Sequence, residues 1–325
     1  MNISNEAQNV YEVIKRYGPI RSTEIVKKLN VSIKTVYKHL VKLLDEDLIE
    51  KTGSTPVVFY DIKIQNSEMT LIRDKDDKII DDNYLYVSPS GEMLYGISGF
   101  KQWCKKNNFI FEKEKRMFVD KFKAFKKLKK DELISAKQSI LSGGKKLHLN
   151  NIFFSSFYNI GHFGKTKLGQ LVYLGKSSQN KAMIIDIVKI VKPAIFNLLE
   201  KYNIKFICFI PPTIDRKLQF MDVFKKNLRL DLPEIKAIKV PSLTKIPQKT
   251  LRKLEDRIIN ANRTIAISPN QDINGNVLII DDATGSGATL NETAGKIKNI
   301  AKQDIKVIGY SVIGSYKGFD VISEV

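Results

Sequence analysis

The polar and apolar residues of the chain first repeat with a helical period and later alternate between helical and strand periods. Ala7, Val10, Tyr11 and Ile14 fall on one face of a first helix that Ser4 can cap. Gly18-Pro19 stops it, and a second helix capped by Ser22 turns Ile25, Val26 and Leu29 inward. Asn30-Val31 makes a turn. Ser32 caps a third helix that buries Val36, Leu40, Leu43 and Leu44. Leu48-Ile49-Glu50-Lys51 starts a strand, Gly53-Ser54-Thr55 forms a tip, and Val57-Val58-Phe59-Tyr60 returns. From about residue 150 onward helices and strands alternate, as in α/β folds. Strands are predicted over Lys205–Ile210, Ile235–Val240, Val277–Ile280 and Ile305–Ile313. Helices are predicted over Ala182–Tyr202 (kinked or broken near Pro193), Asp215–Leu228 and Leu290–Ala301.

Residues 1–62 resemble the winged helix-turn-helix domains of bacterial and archaeal regulators. The resemblance implies that the third helix enters the major groove. Its outward residues are read as Ser32, Lys34, Thr35, Lys38, His39 and Lys42. The lysines would contact phosphates, and Ser, Thr and His would reach base edges. Charge qualifies this picture. Residues 1–61 hold nine basic and eight acidic residues, and Asp45, Glu46, Asp47 and Glu50 cluster past the third helix. Such modules also mediate protein contacts and dimerisation. DNA or structured nucleic acid, and a protein partner or second copy of the chain, therefore both stand as partners.

Residues 63–150 form a basic connecting region. Asp74, Asp76, Asp77, Asp81 and Asp82 suggest a solvated loop or hairpin, without the Gly and terminal Glu of a calcium loop. Tyr84–Val87 is a predicted strand and Ser88-Pro89-Ser90-Gly91 a turn. Residues 101–130 carry twelve basic and three acidic side chains. Phe118, Phe122, Phe125 and Leu128 form a helical stripe among those lysines. The stripe reads as a core-facing helix, and the lysine face as solvated or as a track for a nucleic-acid backbone.

The 325 residues carry a formal charge of +19, which favours polyanionic partners. Cys104 and Cys208 are far apart and make neither a metal spacing nor a disulfide framework. No apolar run approaches the roughly 20 residues of a membrane span, and no signal segment is seen at the start. A cytoplasmic protein with no membrane partner is expected.

The most informative stretch runs from Val277 to Thr289. An apolar, β-branched strand ends in Asp281-Asp282, a loop of Ala283, Thr284, Gly285, Ser286, Gly287, Ala288 and Thr289 follows, and a helix begins. Ligands of open α/β sheets bind at that edge. Small residues at a helix N-terminus offer N–H groups, hydroxyls and the positive dipole end to a phosphate. Paired acids suit a ribose diol or hydrated Mg²⁺. An ordinary strand-to-helix turn with an acidic cap would use the same residues.

This stretch resembles the phosphoribosyl-pyrophosphate (PRPP) loop of the type I phosphoribosyltransferases. Two more stretches resemble that family. Pro211-Pro212-Thr213-Ile214-Asp215-Arg216 follows a strand where the family grips pyrophosphate. Pro211 and Pro212 have no N–H, so Thr213 and later amides, with Arg216, would supply the donors. Residues 245–262 resemble the flexible loop of the competence-protein ComF-like branch, with Lys245, Gln248, Arg257 and Asn260 at matching positions. The ComF-like resemblance spans roughly residues 155–320. Residues 159–165, 173–176 and 314–320 could form an acceptor-binding hood.

The resemblance implies an α/β protein: an N-terminal winged helix-turn-helix over 1–62 and, over 151–325, a type I phosphoribosyltransferase fold with a central parallel sheet flanked by helices. It implies PRPP and Mg²⁺. Asp281 and Asp282 would hold the ribose diol and the water shell of the metal. Residues 283–289 would cradle the 5′-phosphate, and Arg216, Lys245 and Arg257 would neutralise pyrophosphate. The sequence shows no distinct general base. The leading reading is a pyrophosphate-releasing transferase on a nucleic-acid-binding arm. The alternatives are a PRPP-sensing transcriptional regulator without turnover, or a retron-type antiphage effector held by a reverse transcriptase–DNA complex.

Overall fold

Three amphipathic helices and a two-stranded wing make the first of two units into which the chain divides, Met1–Ile72 and Arg73–Val325. The computed structural model describes residues 4–17, 19–54, 56–63, 75–136, 146–240, 251, 253–269 and 271–315. In the first unit α1 is Asn5–Tyr17, α2 Ser22–Leu29 and α3 Ile33–Asp45, and β1 (Ile49–Ser54) pairs antiparallel with β2 (Val57–Ile62). The apolar stripes meet in one core built on Val10, Ile14, Ile25, Val36, Leu40 and Leu43. Ile20 and Tyr60 exchange backbone hydrogen bonds of 2.9 Å, which ties the α1–α2 connection to the wing.

The caps follow local chemistry. Ser4 accepts from the Ala7 N–H at 3.3 Å, and Ser32 accepts from the Thr35 N–H at 3.1 Å. Ser22 does not cap α2: it is the first helical residue, nearly buried, and its hydroxyl donates to Tyr37 Oη at 3.2 Å. Asn30 closes α2 in the left-handed region at φ 52°. Gly53 has φ +85°, and a Cβ there would lie 2.4 Å from the Val57 carbonyl oxygen, so the wing turn requires glycine.

The second unit is built on a six-stranded mixed sheet in the order β5-β6-β7-β12-β11-β8. These strands are β5 Lys129–Lys130, β6 Leu133–Ser135, β7 Asn151–Phe157, β8 Ile204–Phe209, β11 Asn276–Thr284 and β12 Val307–Gly314. The four strands from β7 to β8 are parallel, and β6 joins antiparallel to β7. Two small hairpins stand apart from the sheet. One pairs β3 (Leu85–Val87) with β4 (Met93–Tyr95), the other β9 (Ala237–Lys239) with β10 (Ile265–Ile267).

Both faces of the sheet are covered, which explains why β11 is apolar at consecutive positions. Val277 and Ile279 join a core with Leu290, Ala294 and Ile297 of α11 (Ala288–Ile300). Leu278 and Ile280 face the opposite core, with α7 (Lys167–Ser177), α8 (Lys181–Lys201) and α9 (Phe220–Leu228). α8 continues through Pro193, so the expected break does not occur. Val191, Ala194, Ile195 and Leu198 are buried on both sides of it and hold the helix against its single lost hydrogen bond.

Two boundaries differ from the sequence reading. α9 begins at Phe220 rather than Asp215, because Gln179 Oε1 accepts the Leu218 N–H and Gln219 donates to the Ile214 carbonyl, holding residues 214–219 as a loop. β11 extends to Thr284 because Asp281, Ala283 and Thr284 stay in register with Ser311, Ile313 and Gly314 of β12.

Residues 75–136 share the first of the two cores with the sheet. α4 is Lys75–Asn83, α5 Gly96–Lys106 and α6 Phe111–Leu128. Asp76, Asp77, Asp81 and Asp82, expected in a solvated loop or hairpin, lie on α4, and Asp74 lies outside the described residues. Asp77 pairs with Lys115 at 2.5 Å and Asp76 with Lys123 at 2.9 Å, while Asp81 accepts the Ile97 N–H at the start of α5. Part of the lysine surplus of α6 therefore neutralises α4. Phe118 is buried against Tyr84 and Phe100, and Phe125 against Phe157, but Leu128, expected to continue the stripe, is 52% exposed.

Candidate functional site

The four parallel strands end at one edge of the sheet, and the chemistry-bearing loops of the second unit lie there. β11 carries Asp281 and Asp282 to that edge, and α11 starts at Ala288 after Gly287, whose φ of 74° makes the turn from loop to helix. The first turn of α11 leaves backbone N–H groups without intrahelical acceptors. A cavity of about 200 Å³ opens over them. Its walls are the run from Asp281 to Thr289, the Pro211-Pro212-Thr213 segment after β8 with Arg216, and Arg257 from α10 (Leu254–Thr264). Lys245 and Gln248 lie outside the described residues. Asn260 is on α10 but does not line the cavity.

The electrostatics of the acid pair are unusual. Burial pushes Asp281 up to about 8, with the neighbouring Asp282 charge adding to the rise. Lys176, the Asp282 N–H and Lys239 oppose it, the N–H at 2.8 Å from Asp281 Oδ1. Asp282 Oδ1 accepts from the Lys176 ammonium at 3.0 Å, and both side chains are mostly buried. Lys239 donates to Thr264 Oγ1 at 2.9 Å, and burial lowers its pKa while Asp281 holds it up. Arg257 is buried, its Nε donates to the Leu251 carbonyl at 2.7 Å, and burial lowers its pKa as well. Two acids, a buried guanidinium and Lys176 thus meet in the cavity wall, and the Lys239 charge acts on Asp281 from outside the lining.

The sequence places Lys176 in a candidate acceptor hood and Lys239 in a strand; the structure brings Lys176 into the cavity wall and Lys239 within electrostatic reach of Asp281. The Lys176–Asp282 pair joins positions 106 apart, for which the chain carries no local signal. The remaining hood candidates occupy the same sheet edge without lining the cavity. His162, in the short turn Gly161–Phe163 after β7, lies 2.8 Å from the buried Glu114 of α6. Gly314 and Ser315 end β12, the Ser315 N–H donating to the Thr284 carbonyl, while residues 316–320 are outside the described residues.

The second candidate surface is α3. Lys34, Lys38 and Lys42 are exposed along it, one turn apart. His39 is not among the outward residues: it is 4% exposed and its Nε2 lies 3.3 Å from Glu6. Ser32 and Thr35 hold each other, with hydroxyls 2.8 Å apart. The outward face beside the lysines consists of Ile33, Tyr37 and Val41. Residues 1–65 match the family described as sugar-specific transcriptional regulator TrmB. The TrmB match covers the whole first unit apart from its last residues, and this segment folds as a winged helix-turn-helix. No curated protein matches the chain. No helix among the described residues is long and apolar enough to cross a membrane.

Proposed function

We propose that the chain is a DNA-binding protein whose second unit binds PRPP with Mg²⁺, releases pyrophosphate and transfers the phosphoribosyl group to an acceptor. The observation that carries this reading is the convergence of Asp281-Asp282, the small-residue loop and the α11 N-terminus on one cavity. The residues fit the metal indirectly. No group of three metal-ligating side chains exists among the described residues, so Asp281 and Asp282 would hold Mg²⁺ through water and ligand oxygens. When bound, the ion supplies positive charge to the diphosphate leaving group.

The chain's own residues do the rest. The N–H groups and hydroxyls of residues 283–289 take the 5′-phosphate, and the two carboxylates take the ribose diol. Thr213, Arg216 and Arg257, with Lys245 from the 241–250 segment, hold pyrophosphate. The bond from the anomeric carbon to the pyrophosphate oxygen breaks with its electron pair on oxygen. The acceptor's lone pair forms the new bond, and its proton leaves to water. Preorganised charge and exclusion of bulk water are the main catalytic effects of such an arrangement.

A second reading is a regulator that senses a sugar phosphate without turnover. What supports it is the family description matched over residues 1–65, sugar-specific transcriptional regulator TrmB. One experiment separates the two. Purified protein is incubated with Mg²⁺ and PRPP, with and without nucleobases, DNA or RNA, and pyrophosphate release is measured against Asp281→Asn/Asp282→Asn. Release that needs the acids supports the transferase. PRPP binding without release supports the sensor, and PRPP affinity unchanged in the double variant removes the site assignment.

A further inference from the structure

The outward face of α3 lacks the hydrogen-bonding base readers expected from the sequence. His39 is turned into the core beside Glu6, and Ser32 and Thr35 are engaged with each other at the helix start. What remains is an apolar stripe, Ile33, Tyr37 and Val41, exposed by 39%, 48% and 55%. Their spacing of four places them in one line along the helix, and Lys34, Lys38 and Lys42 form a parallel line beside it. The Ser22 hydroxyl donates to Tyr37 Oη at 3.2 Å, which fixes the ring across the α2–α3 angle. Asp45 follows Val41 by one turn and makes the C-terminal end of the stripe acidic.

From this we infer that α3 reads thymine: Ile33, Tyr37 and Val41 pack on thymine methyl groups in the major groove while Lys34, Lys38 and Lys42 hold the flanking phosphates. The inference rests on the DNA-binding reading of the first unit and adds its specificity. Thymine is the one base that offers an apolar group in that groove, so an apolar face with a cationic line along one side selects A·T-rich sequence. A second copy of the chain is a poorer occupant. Two α3 faces related by a twofold axis would bring the three lysines of one against those of the other.

The test uses the full chain and two alternating duplexes, poly(dA-dT) and its uracil counterpart poly(dA-dU), which differ only in the methyl group. Tighter binding of the thymine duplex is expected, by about fourfold for each buried methyl. Ile33→Ala/Val41→Ala is expected to shrink that ratio toward one. Lys34→Ala/Lys38→Ala/Lys42→Ala is expected to weaken both duplexes alike. Equal, salt-dependent binding of both duplexes by the unaltered protein would overturn the thymine readout and leave DNA binding standing. Absence of salt-dependent binding to either duplex would overturn DNA binding itself. An Ile33→Ala/Val41→Ala variant that loses self-association while keeping its duplex ratio would assign the stripe to a second copy instead. The duplex comparison on the unaltered protein needs no variant to fold.

Discussion

The ammonium of Lys176 sits 3.0 Å from Asp282 Oδ1, in a cavity wall where neither side chain is more than 17% exposed. α7 thereby supplies a counter-charge to the acid pair at the end of β11. Lys176→Ala would leave the Asp282 carboxylate, beside Asp281, without its nearest counter-charge. Loss of about 1–3 kcal/mol is expected, less than for a sealed pair because the cavity admits water. Thermal unfolding should show the loss, and added Mg²⁺ should recover part of it. An unchanged melting temperature, with or without Mg²⁺, would mean the pair contributes no net stability.

Asp281 gives the site a pH dependence of predictable sign. Its pKa in the folded chain is pushed up to about 8, first by burial and then by Asp282. In the unfolded chain it is about 3.9. Between these values the folded state keeps a proton that the unfolded state has lost, so stability from this group falls as pH rises and levels off above about 8. Asp281→Asn should flatten that slope and raise stability most near the alkaline end of the window. Urea unfolding of parent and variant across the window measures it, and parallel pH profiles would refute the assignment. Binding of Mg²⁺–PRPP should release protons below the same pH, since the carboxylate must be ionised to serve.

The sequence was most legible where cause and effect lie close together. The β11 strand, its acids and the loop to α11 are contiguous, and their order alone suggests a phosphate site. The caps Ser4 and Ser32 are equally local. Tertiary pairing was not legible. The acids of α4 look solvated until Lys115 and Lys123 of α6 arrive across them, and Lys176 reaches Asp282 only once the sheet edge is assembled. The inward turn of His39 did leave a signal. It stands three residues after Val36 and four before Leu43, on the buried face, and its polar character masked that spacing.

His39 is therefore expected to act on folding rather than on base contact. It is enclosed by α1 and α3, with Glu6 as its charged neighbour. His39→Ala would open a cavity and should cost about 1–3 kcal/mol of stability in the first unit. DNA affinity per folded molecule should be unchanged at temperatures where the variant is folded. Denaturant unfolding paired with a DNA titration separates the two effects. A stable variant with weakened, sequence-altered binding would return His39 to the reading surface.

The lysines of α3 make the opposite prediction. Lys34, Lys38 and Lys42 are exposed, none takes part in an ion pair described for the first unit, and all lie along the side of the helix beside the apolar stripe. If each neutralises one phosphate, each releases a counterion on binding. Replacing all three by alanine should lower the slope of log affinity against log salt by about 3. Stability should change by less than about 0.5 kcal/mol, as for surface substitutions generally. Titrations of one duplex at several salt concentrations measure the slope. A slope that does not move would place the phosphate contacts elsewhere, with the lysine-rich 101–130 segment as the next surface to neutralise.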